Sequence, residues 1–506
     1  MRIGILLGLA LLHCPLVGLS NTIQSATAAT TISQSKRPNI VLIISDDHRW
    51  DCLGASGNTH VMTPHLDQLA KDGVHFIQAT VVTPQCAPSR AALLTGLPGH
   101  QNGYFSNQTQ LKERAHSHGY GDLQTMPGKL SEAGYSTVLV GKWHLKPDPW
   151  NCGFNTVRQW LGQGAGSYKN LAMAYGNNRE TTTIEGFTQD VLGKDAAAFI
   201  ASPEAKEKPF LLWLALTAPH SPLKPNPHSI ENLYAGKTNA ELAPPGFTVG
   251  EENERLTSFT KRLKAKAKPS NQAKATKQAK RPQGERNVWR DYYAAITSAD
   301  EQVGRVRDAL KKAGLDKNTV VIFMGDNGLM RGSRGWPGKV LPYDESMRVP
   351  MIVHAPGIAT VNGQSSATVS TLDLPLSIVH WAGLEAPQQW SGRDLTPALI
   401  SKSPKEFRSS FSEFADNVNR KFGNIEYRVV RTPEAKLVRW RDPDKGDEFF
   451  DLVKDPRELT NEVHNLKYAG QVKAMEEILA AWKTKTKDTN TTAVGETVSG
   501  KDDEEE

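Results

Sequence analysis

Four apolar runs in this sequence each end in side chains that can hold a metal, donate hydrogen bonds or carry a proton. Ile40–Ile44 leads into Ser45, Asp46 and Asp47, and Ser136–Val140 into Gly141, Lys142, Trp143 and His144. Phe210–Leu216 is followed by Pro219 and His220, and Thr319–Met324 by Gly325, Asp326 and Asn327. Asp46, Asp47, Asp326 and Asn327 offer oxygen ligands only, which suits a hard cation such as Ca²⁺ or Mg²⁺ rather than zinc, which usually takes His or Cys. Lys142, His144 and His220 supply donors and proton carriers. A divalent cation beside such groups is what an anionic ester, phosphate or sulfate, requires. The cation neutralises the ester oxygens while a positioned acid protonates the leaving oxygen. Each residue alone has a plainer reading, since Asp and Asn are ordinary turn formers and a Lys after a strand is usually solvated. Their recurrence at four run ends argues for one shared site.

A further signal is local. Cys86-Ala87-Pro88-Ser89-Arg90 opens a helix-like stretch, Ala91-Ala92-Leu93-Leu94-Thr95, that Gly96 ends. A helix N-terminus lowers a thiol pKa and attracts anions, and Arg90 one turn on adds a permanent positive charge. The plainer reading of Cys86 is a small buried core residue.

The elements that must position these groups follow a regular order. Ile40–Ile44 has the continuous apolar character of a strand buried on both faces. Thr63-Pro64 opens a helix with Leu66, Leu69 and Ala70 on one face, and Gly73 closes it. Met126–Ala133 and Ser298–Ala313 are further helices, each stopped by a glycine and each followed by one of the strands above. Repeated strand–helix–Gly–strand order predicts an α/β fold with a large, mainly parallel sheet flanked by helices. Ligands in such sheets bind beyond the carboxyl ends of the strands, where all four reactive sets fall. From about residue 386 the pattern changes to short strands at Tyr427–Val430, Lys436–Trp440 and Phe449–Val453, then a helix over Gly470–Trp482. That predicts a smaller α+β C-terminal domain over 386–483, behind a catalytic domain over 37–385. The polar tail from about Thr484 to Glu506 is expected to be disordered.

Cys-x-Pro-Ser-Arg followed by Leu-Leu-Thr-Gly resembles the signature of type I sulfatases, of the alkaline-phosphatase-like superfamily. In that family a separate, formylglycine-generating enzyme oxidises the cysteine to an aldehyde that works as its hydrate. The resemblance runs from about residue 37 to 482. Pro38–Asp47 looks like the opening strand and metal pair, and Gly141-Lys142-Trp143-His144-Leu145 like the second signature. Ala218–Pro222, Gly325–Gly328, Gly338-Lys339 with Tyr343–Pro350, and Glu448–Leu452 look like later segments. The middle segments are closer to the glucosamine-6-sulfatase-like and heparan-type branch than to aryl-sulfate enzymes. The resemblance implies that Cys86, as formylglycine, is the nucleophile. It implies that Asp46, Asp47, Asp326 and Asn327 hold one Ca²⁺ with the modified Cys86 nearby. Arg90 would stabilise the hydrated aldehyde, and Lys142, His220 and Lys339 would contact the sulfate or the leaving oxygen. His144 would assist the hydrate and its release. The resemblance further implies that one hydroxyl of the hydrate attacks sulfur as the alcohol leaves, and that the other then loses its proton, expels sulfate and restores the aldehyde.

Composition fits a folded globular chain. The hydrophobic fraction is 38% and the charged fraction 23%, ordinary globular values that disfavour a disordered chain or a multi-span membrane protein. Met1-Arg2, the apolar run Ile3–Leu19 and Ala26-Thr27-Ala28 form a secretory signal pattern over residues 1–28, with no later membrane span. Export to periplasm or exterior is expected, or to the lysosome in a eukaryote. Removing Cys14 with the signal leaves Cys52, Cys86 and Cys152, an odd number that suggests a reactive or modified thiol. Cys52 and Cys152 could pair. The net charge of +6 comes from one place: residues 255–286 carry eleven Lys and Arg against Glu285 alone. This basic insertion is expected to be exposed. It is either a solvated linker or a tether for a polyanionic substrate. The expected partner is a sulfated carbohydrate, with no nucleic acid, and oligomeric state is left open. Rival readings are a phosphonate monoester or phosphodiester hydrolase of the same fold, and a sulfated-glycan-binding protein without turnover. His48, Arg49, His100 and Asn102 are candidates for pocket-lining positions.

Overall fold

The computed structural model describes residues 37–107, 109–110, 120–121, 123–247, 288–402, 404–416, 425–441, 446–489 and 496–497. The signal pattern and the basic insertion lie outside the described residues. Among them, no helix is long and apolar enough to cross a membrane.

Ten strands form the main sheet: β1 (Asn39–Ser45), β2 (Val74–Phe76), β3 (Ser136–Lys142), β4 (Thr156–Leu161), β5 (Ala172–Tyr175), β6 (Thr181–Thr183), β7 (Phe210–Ala215), β8 (Thr319–Gly325), β9 (Met351–His354) and β10 (Gly363–Ser365). Their order is β10-β2-β9-β8-β1-β7-β3-β4-β5-β6. The central run β8-β1-β7-β3-β4 is parallel, while β9, β5 and β6 run antiparallel to their neighbours. The expected large, mainly parallel mixed sheet is thus present. β1 explains the continuous apolar run. Ile40, Leu42 and Ile44 enter one core, and Val41 and Ile43 enter the core on the opposite face, all without exposure.

The flanking helices do what their patterns require, with two differences. The helix Pro64–Asp72 buries Leu66, Leu69 and Ala70, but Thr63 makes no side-chain cap. Its first amides donate instead to Asp300, from His65 N at 3.2 Å and Leu66 N at 2.7 Å. The long helix spans Val288–Ala313 and starts ten residues before the expected Ser298. Ala299, Val303, Val306 and Leu310 face the sheet, while Trp289, Tyr292, Tyr293 and Ile296 enter a separate core with Cys52 and Val61.

A second sheet is antiparallel: β11 (Ser410–Asp416), β12 (Ile425–Arg431), β13 (Ala435–Trp440) and β14 (Glu448–Asp451), in that order. The expected boundary near 386 moves. Trp390, Leu395, Ala398 and Phe407 still pack in the main core, so the smaller layer begins at Ser410. The expected disorder from Thr484 is also corrected. The last helix runs Ala469–Lys485, and Asp488 is buried against Arg428 at 2.6 Å. Residues beyond 489, apart from 496–497, lie outside the described ones. Cys52, Cys86 and Cys152 are all free and buried, so the Cys52–Cys152 pairing does not form.

Candidate active site

Register in the parallel sheet assembles the site. β1 pairs with β8 from Asn39↔Thr319 to Ser45↔Gly325, which puts Asp46–Asp47 beside Asp326–Asn327. Asp326 N donates to Ser45 O at 2.9 Å, and Asp47 N to Asp326 Oδ1 at 3.2 Å. β7 and β3 lie on the other side of β1 and bring His220 and Lys142 to the same edge. Gly141 makes the turn into Lys142 possible. It has φ of 100°, and a Cβ there would lie 1.9 Å from Ala215 O, so a side chain cannot fit.

Cys86 is the first residue of the helix Cys86–Thr95, every residue of which is buried. Its Sγ lies 2.9 Å from Lys339 Nζ, 3.4 Å from Asp46 Oδ1 and 4.0 Å from Asp47 Oδ1. Lys339 Nζ also donates to Asp47 Oδ1 at 2.8 Å, and Lys142 Nζ pairs with Asp46 Oδ2. One turn along the helix, Arg90 Nε donates to Asp326 Oδ2 at 2.9 Å, and its Nη1 to Lys142 O at 2.8 Å. His220 Nε2 stands 3.7 Å from Asp47 Oδ2, with Nδ1 2.6 Å from Ser221 O. Cys86, Arg90, Lys142, His220, Lys339 and the four candidate metal ligands therefore meet in one buried centre. His144 is half-buried, with φ of 57° and its ring packed on Gly164.

Charges inside this centre balance closely. Burial works against an ionised Asp46, but Lys142, His220, Arg90 and Lys339 hold it well below the usual carboxylate range. Burial and Asp46 push Asp326 up to about 6. Burial works against a charged His220, yet Asp47 and Asp46 raise it well above its ordinary value. The helix N-terminus does not lower the Cys86 thiol as expected. Burial and the Asp46 carboxylate push it up, so an unmodified Cys86 is a protonated thiol here, not a ready nucleophile.

The donor set can hold a metal ion, and its carboxylate and amide oxygens are the part of it that fits a hard divalent cation. Asp46, Asp47, Cys86 and His220 each offer an atom within 4.8 Å of the others. Asp326 stands beside this group, with one oxygen on Asp47 N and the other on Arg90. Asn327 Nδ2 donates to Asp47 Oδ1 at 2.6 Å, while its Oδ1 is buried with no hydrogen-bond partner. An orphaned buried amide oxygen beside paired carboxylates is suited to serve as a metal ligand.

Four other candidates are placed elsewhere. His48 is buried between Ser45 Oγ and Cys52 O, each at 3.0 Å, and burial pushes it down to about 4. Arg49 pairs with Asp51 at 2.6 Å and donates to Met330 O. His100 bonds Glu413 at 2.7 Å, and Asn102 closes its own turn through Leu97 O and Tyr104 N. All four serve structure. Two tyrosines were not legible. Tyr292 Oη donates to Asp47 O, and Tyr168 Oη to His220 O at 2.8 Å. Neither lies in a motif that marks it: Tyr168 stands between Ser167 and Lys169, and Tyr292 follows Arg290 and Asp291.

A family model described as sulfatase matches residues 38–384, and one described as N-sulphoglucosamine sulphohydrolase, C-terminal, matches 332–485. The N-acetylglucosamine-6-O-sulfatase of Bacteroides thetaiotaomicron is 27% identical over 527 residues, covering 94% of this chain and 90% of that protein. A solved structure of a protein in complex with its substrate D-glucosamine-2-N,6-O-disulfate has a TM-score of 0.70 and 25% identity. It covers 90% of this chain and 99% of that one. The phosphonate monoester hydrolase of Agrobacterium radiobacter shares the fold, with a TM-score of 0.68 at 23% identity, covering 89% of this chain and 96% of that one. With the family model spanning most of its length, the chain belongs to the sulfatase family and is a sulfuric ester hydrolase of the alkaline-phosphatase-like superfamily.

Proposed function

We propose that this sulfatase hydrolyses a sulfate ester on a carbohydrate, with Cys86 matured to formylglycine and one Ca²⁺ held by Asp46, Asp47, Asp326 and Asn327. The observation that carries the reading is the place of Cys86. Its Sγ lies between Lys339 Nζ at 2.9 Å and Asp46 Oδ1 at 3.4 Å, in a site where burial keeps a plain thiol protonated. When present, the formylglycine hydrate would supply the attacking oxygen and Ca²⁺ would add positive charge for the ester oxygens. The chain's own residues do the rest. Arg90, fixed by Asp326, keeps a permanent charge one turn beneath residue 86. Lys142 and Lys339 direct ammonium groups at the sulfate oxygens. His220, protonated beside Asp47, holds a proton at Nε2 for the leaving oxygen. His144, two residues beyond Lys142, would assist the hydrate.

Three permanent cations, Arg90, Lys142 and Lys339, face three carboxylates. A divalent cation makes the centre net positive, which matches a sulfate ester's charge. The carbohydrate follows from the relatives' substrates. We further propose export, from the pattern of residues 1–28, with a formylglycine-generating enzyme as the maturation partner.

Peptide mass spectrometry on protein from its natural host tests the central step. A peptide containing residue 86 is expected about 18 Da lighter than the cysteine form. An unmodified Cys86 in that protein would sink the reading. Rates on 6-O-sulfated glucosamine, nitrophenyl sulfate and a phosphonate monoester are expected to rank in that order. A faster phosphonate rate would transfer the enzyme to the rival class.

A further inference from the structure

The C-terminal sheet has two working faces, as the two-residue period of a strand requires. Tyr427, Val429 and Phe450 pack on Trp336, Val340 and Tyr343, in the segment that carries Lys339. Val430, Leu437 and Phe449 point the other way, to Met475, Leu479 and Trp482 of the last helix. The sheet is thus layered between that helix and the Lys339 segment.

That segment adopts a conformation that needs holding. Val340 has φ of 73°, and Arg334 has φ of 56°. A β-branched residue there is a genuine outlier and persists only where its surroundings over-determine it. Three carbonyls at and after Lys339 are tied down. Trp336 Nε1 donates to Lys339 O at 3.1 Å, Tyr427 Oη to Val340 O at 2.6 Å, and Lys436 Nζ to Pro342 O at 3.3 Å. The last two donors belong to the C-terminal sheet. Just beyond, Arg431 and Lys436 grip Asp344, and Asp344 N donates to Glu458 Oε2 at 2.9 Å. The Tyr427 ring is fixed independently of its hydroxyl. It meets Trp440 edge-on at 5.2 Å and stacks with Phe414 at 6.1 Å.

We propose that Tyr427 is a positioning residue for sulfate-ester cleavage: its hydroxyl fixes the Val340 carbonyl and so places the Lys339 ammonium against the side chain of residue 86. This rests on the reading of Lys339 given above. It gives the Lys339-facing side of the C-terminal sheet a positioning role without touching substrate.

The test is Tyr427→Phe, which deletes one hydroxyl and keeps the ring, in full-length protein with formylglycine verified at residue 86. Leu437→Ala is the control, since it loosens the same sheet on the face away from Lys339. With nitrophenyl sulfate, Tyr427→Phe is expected to lower kcat roughly 10- to 100-fold, with KM changed less than about twofold. Leu437→Ala is expected to lower the melting temperature more and leave kcat unchanged. In a Lys339→Ala background, adding Tyr427→Phe is expected to cost no further rate, because its effect passes through that lysine. Lys339→Arg serves as the background if Lys339→Ala has no measurable rate. Equal kcat losses in Tyr427→Phe and Leu437→Ala, or a full additional loss in the Lys339 background, would overturn the proposal. A Lys339→Ala enzyme that turns over normally would overturn both the role of Lys339 and the proposal, and the single variant alone reveals that case.

Discussion

Lys142 and Asp46 meet as an ion pair in which neither side chain has any solvent exposure. Such a pair is a weak source of net stability but costly to break from one side, because the remaining charge is stranded. The pair also ties β3 to β1 at the centre of the site.

Lys142→Met is expected to destabilise the fold by about 3 kcal/mol, because Asp46 loses its direct ion-pair partner and keeps only the charges of His220, Arg90 and Lys339. Calcium should restore part of the loss by supplying another counter-charge. Denaturant melts with and without chelator read this: the difference between variant and native protein is expected to be larger in chelator.

Calcium itself should stabilise the native enzyme. At a hundredfold excess over Kd, a ligand bound only to the folded state adds about 2.7 kcal/mol. Asn327→Ala removes the orphaned Oδ1 and is expected to raise the calcium midpoint by about tenfold or more. A thermal-shift titration with calcium decides it, and an unchanged midpoint would remove Asn327 from the ligand set.

Cys86→Ser is expected to lower turnover about a thousandfold or more, since a lone hydroxyl cannot reproduce a hydrate's second one. The fold should hold to within about 1 kcal/mol, the change being nearly isosteric. Single-turnover assays and a denaturant melt on the same sample separate the two effects.

His100 and Glu413 join the catalytic-side turn to β11, with the ring also edge-on to Trp482 at 5.6 Å. Burial would lower His100 and raise Glu413, but their mutual attraction reverses both, so His100 is raised and Glu413 lowered. The His100 contribution is complete below its ordinary value of 6.5 and is lost as pH rises through the raised value. The Glu413 contribution is present above its ordinary value of 4.5 and is lost as pH falls through the lowered value. Unfolding free energy should therefore gain most from the pair between these two ordinary values. His100→Gln is expected to cost about 1.5–3 kcal/mol in that window and less at pH 9. A pH-independent cost would contradict the assignment.

Much of this centre was legible because its residues sit directly after strands that are themselves plain in the sequence. Asp46, Lys142, His220 and Asp326 each follow an apolar run, and parallel pairing aligns those run ends. Other features depended on tertiary contacts. β11 was missed because its buried positions Ser410, Ser412 and Glu413 are polar, with Glu413 satisfied by His100 and Arg428. The first ten residues of the long helix are buried on several sides by two cores, so they lack the one-sided periodicity that marks a surface helix. The thiol prediction failed because burial outweighs a helix terminus. Lys339 follows no strand, so only the resemblance marked it; it is 6% exposed because a distant sheet covers its segment.

The β1–β8 register also has a consequence for biosynthesis. The amide of Asn327 reaches Asp47 across 280 positions of chain, and Lys339 lies further on still. No half-made polypeptide can hold the centre, and its closure depends on contacts between ends of the chain that emerge far apart in time. Such high contact order makes for slow folding with long exposure of unpaired strand edges. A chain terminated anywhere before residue 339 would lack a complete centre, however well its first strands had formed.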